Sequence, residues 1–126
     1  MSYKINTVYG IDDLFLYAPW QRLKHKKYLG DLTSLIQQID TKSREITLES
    51  IEKFFRAGGV LVIATYRLKI VALACLVTVT SINGAIGRIE NIVVHKKHLK
   101  KGLSKLIMAQ LNAIAHKKKL PYHLET

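Results

Sequence analysis

The sequence predicts a single domain of mixed α/β (α+β) class, in which helices flank a mostly antiparallel central sheet. Helical and strand patterns alternate along 126 residues without a linker or a low-complexity segment. Two segments rich in β-branched residues, 60–66 and 70–80, flank a short basic turn, and Asn83-Gly84 is a second turn signal. The segment 86–94 then leads through a glycine-containing turn into an amphipathic helix.

The N-terminal half predicts one strand and three helical segments. Residues 3–8 alternate weakly, and Asp12 follows in a turn where a carboxylate favours a helix start. A second helical pattern opens at Gly30 and places its leucines and isoleucines on one face. The third helix is expected to begin after Thr47, a suitable N-cap, and to end at Gly58, which suits a left-handed C-cap.

The C-terminal half predicts a three-stranded antiparallel unit, one long helix and a last strand. The strands 60–66 and 70–80 have apolar residues at consecutive positions, which indicates burial on both faces. The helix is expected to run from Gly102 to about Lys118, and residues 122–126 are extended. Its apolar residues recur with the spacing of one helical face: Leu103, Leu106, Ile107, Leu111, Ile114 and Ala115.

Composition excludes several classes of protein. Hydrophobic residues make up 48% of the chain, which favours a folded domain over disorder. The longest uninterrupted apolar run, 70–77, is too short to span a bilayer, and residues 1–10 lack the layout of a secretory signal. The single Cys75 cannot form an intramolecular disulfide, so we expect a cytoplasmic protein in which Cys75 is a small core residue.

The charge of the chain is strongly positive and unevenly distributed. The formal net charge is +11, and residues 91–124 contain eight lysines and no acidic side chain. Such a field attracts polyanions, among them nucleic acid, an acidic membrane surface or a nucleotide cofactor. Few aromatic residues are interleaved for base stacking, so nucleic acid is the less favoured partner. Lysines 117–119 fall at a predicted helix end, where cations offset the helix dipole.

The segment 87–104, GRIENIVVHKKHLKKGLS, carries the clearest functional signal. A strand that feeds a glycine turn at a helix start presents backbone N–H groups and the positive end of the helix dipole. These are the groups that hold a phosphate. The sequence therefore predicts an anion-binding turn around Gly102, to which lysines add charge: Lys96, Lys97, Lys100, Lys101 and Lys105.

This segment resembles the cofactor-binding block V-x-x-x-x-[RQ]-x-x-G-x-[GA] of the GNAT superfamily of N-acetyltransferases. The block starts at Val94 and places Gly102 at its central glycine. Leu99 departs from the Arg or Gln of the pattern, and Ser104 replaces the small last residue, where a side chain crowds the pyrophosphate. The preceding residues 89–94, IENIVV, are similar to the I-E-D-[IV]-x-V strand of glucosamine-6-phosphate N-acetyltransferases.

The resemblance implies acetyl-CoA as cofactor and assigns residues to it. The backbone of the strand would pair with the pantetheine arm, and the N–H of Val93 or Val94 would face the developing oxyanion. The residues assigned to the arm are Ile92, Val93, Val94 and His95. The residues assigned to the pyrophosphate are Lys100, Lys101, Gly102, Leu103, Ser104 and Lys105.

Glu90 is the candidate catalytic residue, because it falls at the glutamate of the family's I-E-D strand. It would accept the proton of a substrate amine, directly or through water, or anchor a polar substrate. The alternative is an exposed strand residue paired with Arg88. Glu125 is a second candidate carboxylate. The turn also contains His95 and His98. No cysteine or carboxylate lies beside them, so no metal site is predicted.

The resemblance implies an acetyl-CoA-dependent N-acetyltransferase that acts on a primary amine of an amino sugar phosphate, a small metabolite or a protein. Two alternatives stay open: a non-catalytic acyl-CoA-binding or interaction module, and a basic nucleic-acid-binding protein. The family usually continues with a fourth helix and two more strands. The sequence is therefore expected to be one GNAT-like domain, residues 1–126, truncated after strand 5. An exposed edge there favours a homodimer.

Overall fold

A computed structural model describes residues 2–15, 25–118 and 122–124, and within these ranges a five-stranded sheet organises the chain. The strands lie in the order β1-β2-β3-β4-β5, which is also their order in the sequence. The elements are β1 (Lys4–Val8), α1 (Ile11–Phe15), α2 (His25–Ile39), α3 (Leu48–Arg56), β2 (Val60–Tyr66), β3 (Lys69–Ser81), β4 (Gly84–Val94), α4 (Leu103–Lys117) and β5 (Tyr122–Leu124).

The sheet is mixed, as predicted. Its first four strands pair antiparallel, whereas β5 pairs parallel to β4, with Gly87 opposite Tyr122. The turn between β2 and β3 has two residues, Arg67 and Leu68, both with positive φ (51° and 64°). This turn matches the twist of the strands. Lys69, which the sequence places in the turn, instead begins β3 opposite the last residue of β2.

Helices cover both faces of the sheet and divide its core in two. On one face, α1, α2 and α3 bury a cluster around Leu32, Leu35 and Leu73. On the other face, α4 buries Ile107 and Leu111 against the sheet. Burial of each such side chain contributes about 1.5–3 kcal/mol. The prediction that β2 and β3 are buried on two faces is confirmed, because alternate residues of both strands enter both clusters.

The helix ends largely follow their local sequence. Thr47 caps α3 with a reciprocal hydrogen-bond pair to Ser50. At the other end Gly58 has φ 90°, and the N–H of Gly59 donates to the Phe54 carbonyl at 3.0 Å, which closes the helix with left-handed geometry.

The start of α2 differs from the prediction: Gly30 lies inside the helix. A helical glycine costs about 1 kcal/mol, which the burial of the preceding residues offsets. Among the described residues, no helix is long and apolar enough to cross a membrane.

Candidate active site

A β-bulge interrupts β4 next to Glu90. Leu73 of β3 pairs with Val93 and Cys75 pairs with Glu90, so Ala74 faces two residues of β4 instead of one. One of these two residues is Asn91, whose φ of 57° is the left-handed conformation that asparagine tolerates better than other side chains. The sequence analysis missed this bulge. Its signal was an asparagine, a poor strand former, inside an apolar strand.

The bulge is followed by backbone groups that point to alternate edges of β4. The N–H of His95 donates to the carbonyl of Val71 in β3 at 2.7 Å. Because the direction alternates along a strand, the backbone of Val94 faces the edge away from β3. There its carbonyl accepts a hydrogen bond from Gln38 Nε2 at 2.8 Å, and Gln38 Oε1 accepts one from the N–H of Lys96 at 3.2 Å. Of the two predicted oxyanion donors, Val94 rather than Val93 therefore faces this edge.

The turn after β4 forms an open helix start, which we call the cradle (residues 99–105). Gly102 is the N-cap of α4, with φ 77° and no side-chain cap hydrogen bond. The first intrahelical bond runs from the N–H of Leu106 to the carbonyl of Gly102, so the three amides before it lack a helical acceptor. A cavity of about 300 Å³ opens here, and the residues that line it are Val94, His98, Leu99, Lys100, Gly102, Leu103, Ser104 and Lys105.

Glu90 lies on the opposite face of the sheet and borders a second cavity. The cavity has a volume of about 280 Å³ and lies between α2, α3 and the strands, with Glu90 and Asn91 in its wall. We call it the acceptor cavity. Arg88 Nη1 lies 3.2 Å from Glu90 Oε1, and both side chains are about one-third exposed. Such a pair contributes about 0–1 kcal/mol to stability. The pairing with Arg88 is thus present, and it leaves Glu90 in the cavity wall.

Cys75 also borders the acceptor cavity and is not a nucleophile there. Its side chain is buried, and burial raises the pKa of the thiol to about 12. A hydrogen bond from the Asn91 side chain opposes this shift, and the negative charge of Glu90 adds to it. The thiol is therefore neutral at physiological pH, and the predicted role of Cys75 as a small buried residue is confirmed.

Several solved structures of acetyltransferases have a similar fold. Glucosamine-6-phosphate N-acetyltransferase from Arabidopsis thaliana superposes with a TM-score of 0.72 at 18% identity, over 100% of this chain and 83% of that chain. A GNAT family acetyltransferase from Staphylococcus aureus gives 0.67 at 16% identity, over 100% and 87%. The chain has the GNAT fold. An aminoglycoside acetyltransferase from a soil metagenomic sample gives 0.74 at 14% identity, over 98% and 77%. No protein-family model and no curated protein sequence matches the chain.

Within this GNAT fold, most residues predicted to hold the pyrophosphate gather around one cavity. Lys101 is the exception, since it lines a neighbouring surface depression with Tyr3. The residues predicted to hold the pantetheine arm include Val93 and Ile92, whose side chains pack into the protein, so only their backbone groups could contact a ligand. Val93 is buried against the helices on the acceptor side, and Ile92 packs towards α4. Glu125 lies outside the described residues, and among the described ones no three His, Cys, Asp or Glu side chains cluster as metal ligands would.

The pKa of His95 is sensitive to the positive charges around the cradle. Its Nδ1 accepts a hydrogen bond from the N–H of Lys97 at 3.1 Å, and its ring lies 5.9 Å from that of His98, which lines the cradle cavity. Partial burial lowers the pKa of His95 below its ordinary value of 6.5, and the positive charges of Lys69 and the turn lower it further. The imidazole is therefore neutral at pH 7.

A bound diphosphate should reverse part of this shift. We expect NMR titration of the His95 ring to give a pKa below 6.5 in the free protein and a higher pKa in the coenzyme A complex, because the anion offsets the neighbouring cations. Pantetheine, which has no diphosphate, should leave the pKa of His95 at its low value. An unchanged pKa at saturating coenzyme A would place the diphosphate away from this turn.

Proposed function

We propose that this protein is an acetyl-CoA-dependent N-acetyltransferase that transfers the acetyl group to a primary amine. One observation carries the proposal. The bulged strand β4 joins an open, basic helix start on one face of the sheet to a cavity that contains a carboxylate on the other face. Acetyl transfer needs a donor site for a diphosphate and an acceptor site beside a proton acceptor. The GNAT fold and the sequence block at Val94 support the same assignment.

The donor side fits coenzyme A on structural grounds. A Cβ placed on Gly102 would meet no protein atom within 4 Å, so the space in front of the helix start is open. The amides of Leu103 and Ser104 would donate to the diphosphate, and Lys100 and Lys105 would add charge. When bound, acetyl-CoA supplies an activated thioester. The N–H of Val94 points to the edge where the pantetheine arm would pair with the strand.

Three residues of this chain then have defined tasks. The N–H of Val94 presents a fixed dipole to negative charge that develops on the acetyl oxygen, which lowers the barrier without reorganisation. Glu90 accepts the proton of the substrate ammonium, directly or through one water molecule. Its bond to Arg88 keeps the carboxylate oriented along the strand while it remains in the cavity wall.

The decisive experiment combines binding and turnover. Acetyl-CoA at about 100 times its Kd should stabilise the folded protein by about 2.7 kcal/mol, seen as a rise in Tm. Release of the free thiol is then measured over a panel of primary amines. No rise in Tm at millimolar acetyl-CoA would overturn the proposal. A rise in Tm without thiol release for any amine would instead indicate a binding module without turnover.

A further inference from the structure

We infer that the acceptor is a primary amine carried on a small apolar body, rather than a phosphorylated amino sugar. This inference rests on the proposed function and concerns the acceptor cavity. The glucosamine-6-phosphate N-acetyltransferase among the structural neighbours provides a direct contrast, because its name states a phosphorylated amino sugar as its substrate. The walls of the cavity in this chain do not suit a phosphorylated sugar.

Most of the described lining residues are aliphatic or aromatic. They come from both helices and strands, so the apolar character extends around the cavity rather than over one wall; examples are Ile36, Ile51, Phe54, Leu61, Leu73 and Val77. An apolar ligand gains about 25 cal/mol for each Å² of apolar surface that it buries here. A sugar ring would instead lose water from its hydroxyl groups against these side chains.

Two polar side chains of the cavity, those of Ser50 and Asn91, bond to other groups of the protein. Ser50 Oγ accepts from the N–H of Thr47 and donates to its carbonyl at 3.0 Å. The Asn91 side chain is bonded to the thiol of Cys75. Both side chains are exposed at the edge of the cavity, so a sugar hydroxyl that goes deeper meets mostly apolar walls, where an unpaired buried polar group costs about 1–3 kcal/mol. The lining therefore favours a ligand that needs few hydrogen bonds.

The charge of the cavity selects an ammonium over a phosphate. Among the described residues that line it there is no lysine, arginine or histidine, and Glu90 is the one that carries charge. The nearby Arg88 is already paired with Glu90 at 3.2 Å. A phosphate would enter next to a carboxylate without a lining cation, whereas an alkylammonium group would pair with the second carboxylate oxygen of Glu90, since the contact with Arg88 uses Oε1.

The size of the cavity limits the acceptor further. A volume of about 280 Å³ lies just below the usual range for small-molecule sites, about 300–1,000 Å³. One aromatic ring or a short branched alkyl chain fits this volume, with the amine directed at Glu90. The exposed position of Asn91 places the entrance beside the bulge in β4, the same strand whose end is assigned to the donor.

The test compares two acceptors on the same protein. We expect 2-phenylethylamine to exceed glucosamine 6-phosphate in kcat/KM by at least about tenfold, which corresponds to about 1.4 kcal/mol. Val77→Trp should fill the cavity and lower kcat/KM for 2-phenylethylamine by a further tenfold or more, with the Kd of coenzyme A unchanged. Val79→Trp is the matched control, since it lies two residues along the same strand outside the lining.

The outcomes separate this inference from the proposed function. Thiol release with glucosamine 6-phosphate that equals or exceeds the release with 2-phenylethylamine would overturn the inference and leave the acetyltransferase in place. An equal effect of Val77→Trp and Val79→Trp would also overturn it. A protein that binds acetyl-CoA and releases thiol with neither amine nor with any other would overturn both. Val77→Lys is a second variant, and it should shift the preference towards the phosphorylated acceptor because it adds the missing cation.

Discussion

Replacement of Gly102 by valine is expected to weaken coenzyme A binding by about 100-fold. Gly102 has φ 77°, and its missing side chain leaves open the space in front of the first amides of α4. A branched side chain would stand in that space and push the helix start away from its left-handed N-cap. The loss of about two charge-assisted hydrogen bonds, at about 1.5 kcal/mol each, accounts for the expected change. Isothermal titration calorimetry measures the Kd directly.

Gly58→Val is the control for backbone strain. Gly58 has φ 90°, and a Cβ there also meets no atom within 4 Å, yet it lies at the end of α3 and not in the cradle. Both substitutions place an L side chain at positive φ, which costs about 1–2 kcal/mol, so both should lower Tm. Only the change at Gly102 should alter the Kd of coenzyme A. Equal affinity in the two variants would remove the cradle from the donor site.

Replacement of Glu90 by glutamine is expected to lower kcat by about 10²- to 10⁴-fold at neutral pH. The amide retains the shape of the side chain but cannot accept the proton of the substrate ammonium. The Kd of coenzyme A should stay unchanged, because Glu90 and the cradle lie on opposite faces of the sheet. The defect should shrink as the pH approaches the pKa of the amine, because the acceptor then arrives already deprotonated.

The pattern of kinetic constants separates the possible roles of Glu90. A raised KM with an unchanged kcat would mean that Glu90 anchors the acceptor and does not move its proton. A lower Tm with unchanged kinetic constants would reduce it to a structural partner of Arg88. Glu52→Gln is the matched control, since this carboxylate lies on α3 outside the cavity lining and should leave both constants unchanged.

The open helix start at Gly102 could be predicted from sequence because it is local. The helix start at Gly102 and the lysines around it lie within about ten residues, and free amides and the helix dipole depend on one turn of chain. The capping of α3 by Thr47 and its termination at Gly58 follow the same logic. The start of α2 was predicted wrongly at Gly30, which lies inside the helix, because the tertiary packing of α2 outweighs the weak local preference of one glycine.

The acceptor side could not be predicted, since it is assembled from distant segments. On the donor side, the hydrogen bonds of Gln38 to the backbone of Val94 and Lys96 also span more than fifty positions of sequence, and no local pattern predicts them. The bulge at Asn91 needs the register of β3 against β4 to be known. The apolar walls of the cavity come from residues whose periodicity indicates only that they are buried.

The amino-acid sequence by itself determined the mixed sheet with its flanking helices and the open helix start at Gly102, because periodicity, caps and turn residues act over a few neighbouring positions. Only the tertiary structure decided which edge the backbone of Val94 faces and that Glu90 shares a cavity with apolar walls. These features depend on strand register and on the packing of α2 and α3 against the sheet, which arise from contacts between residues far apart in the chain.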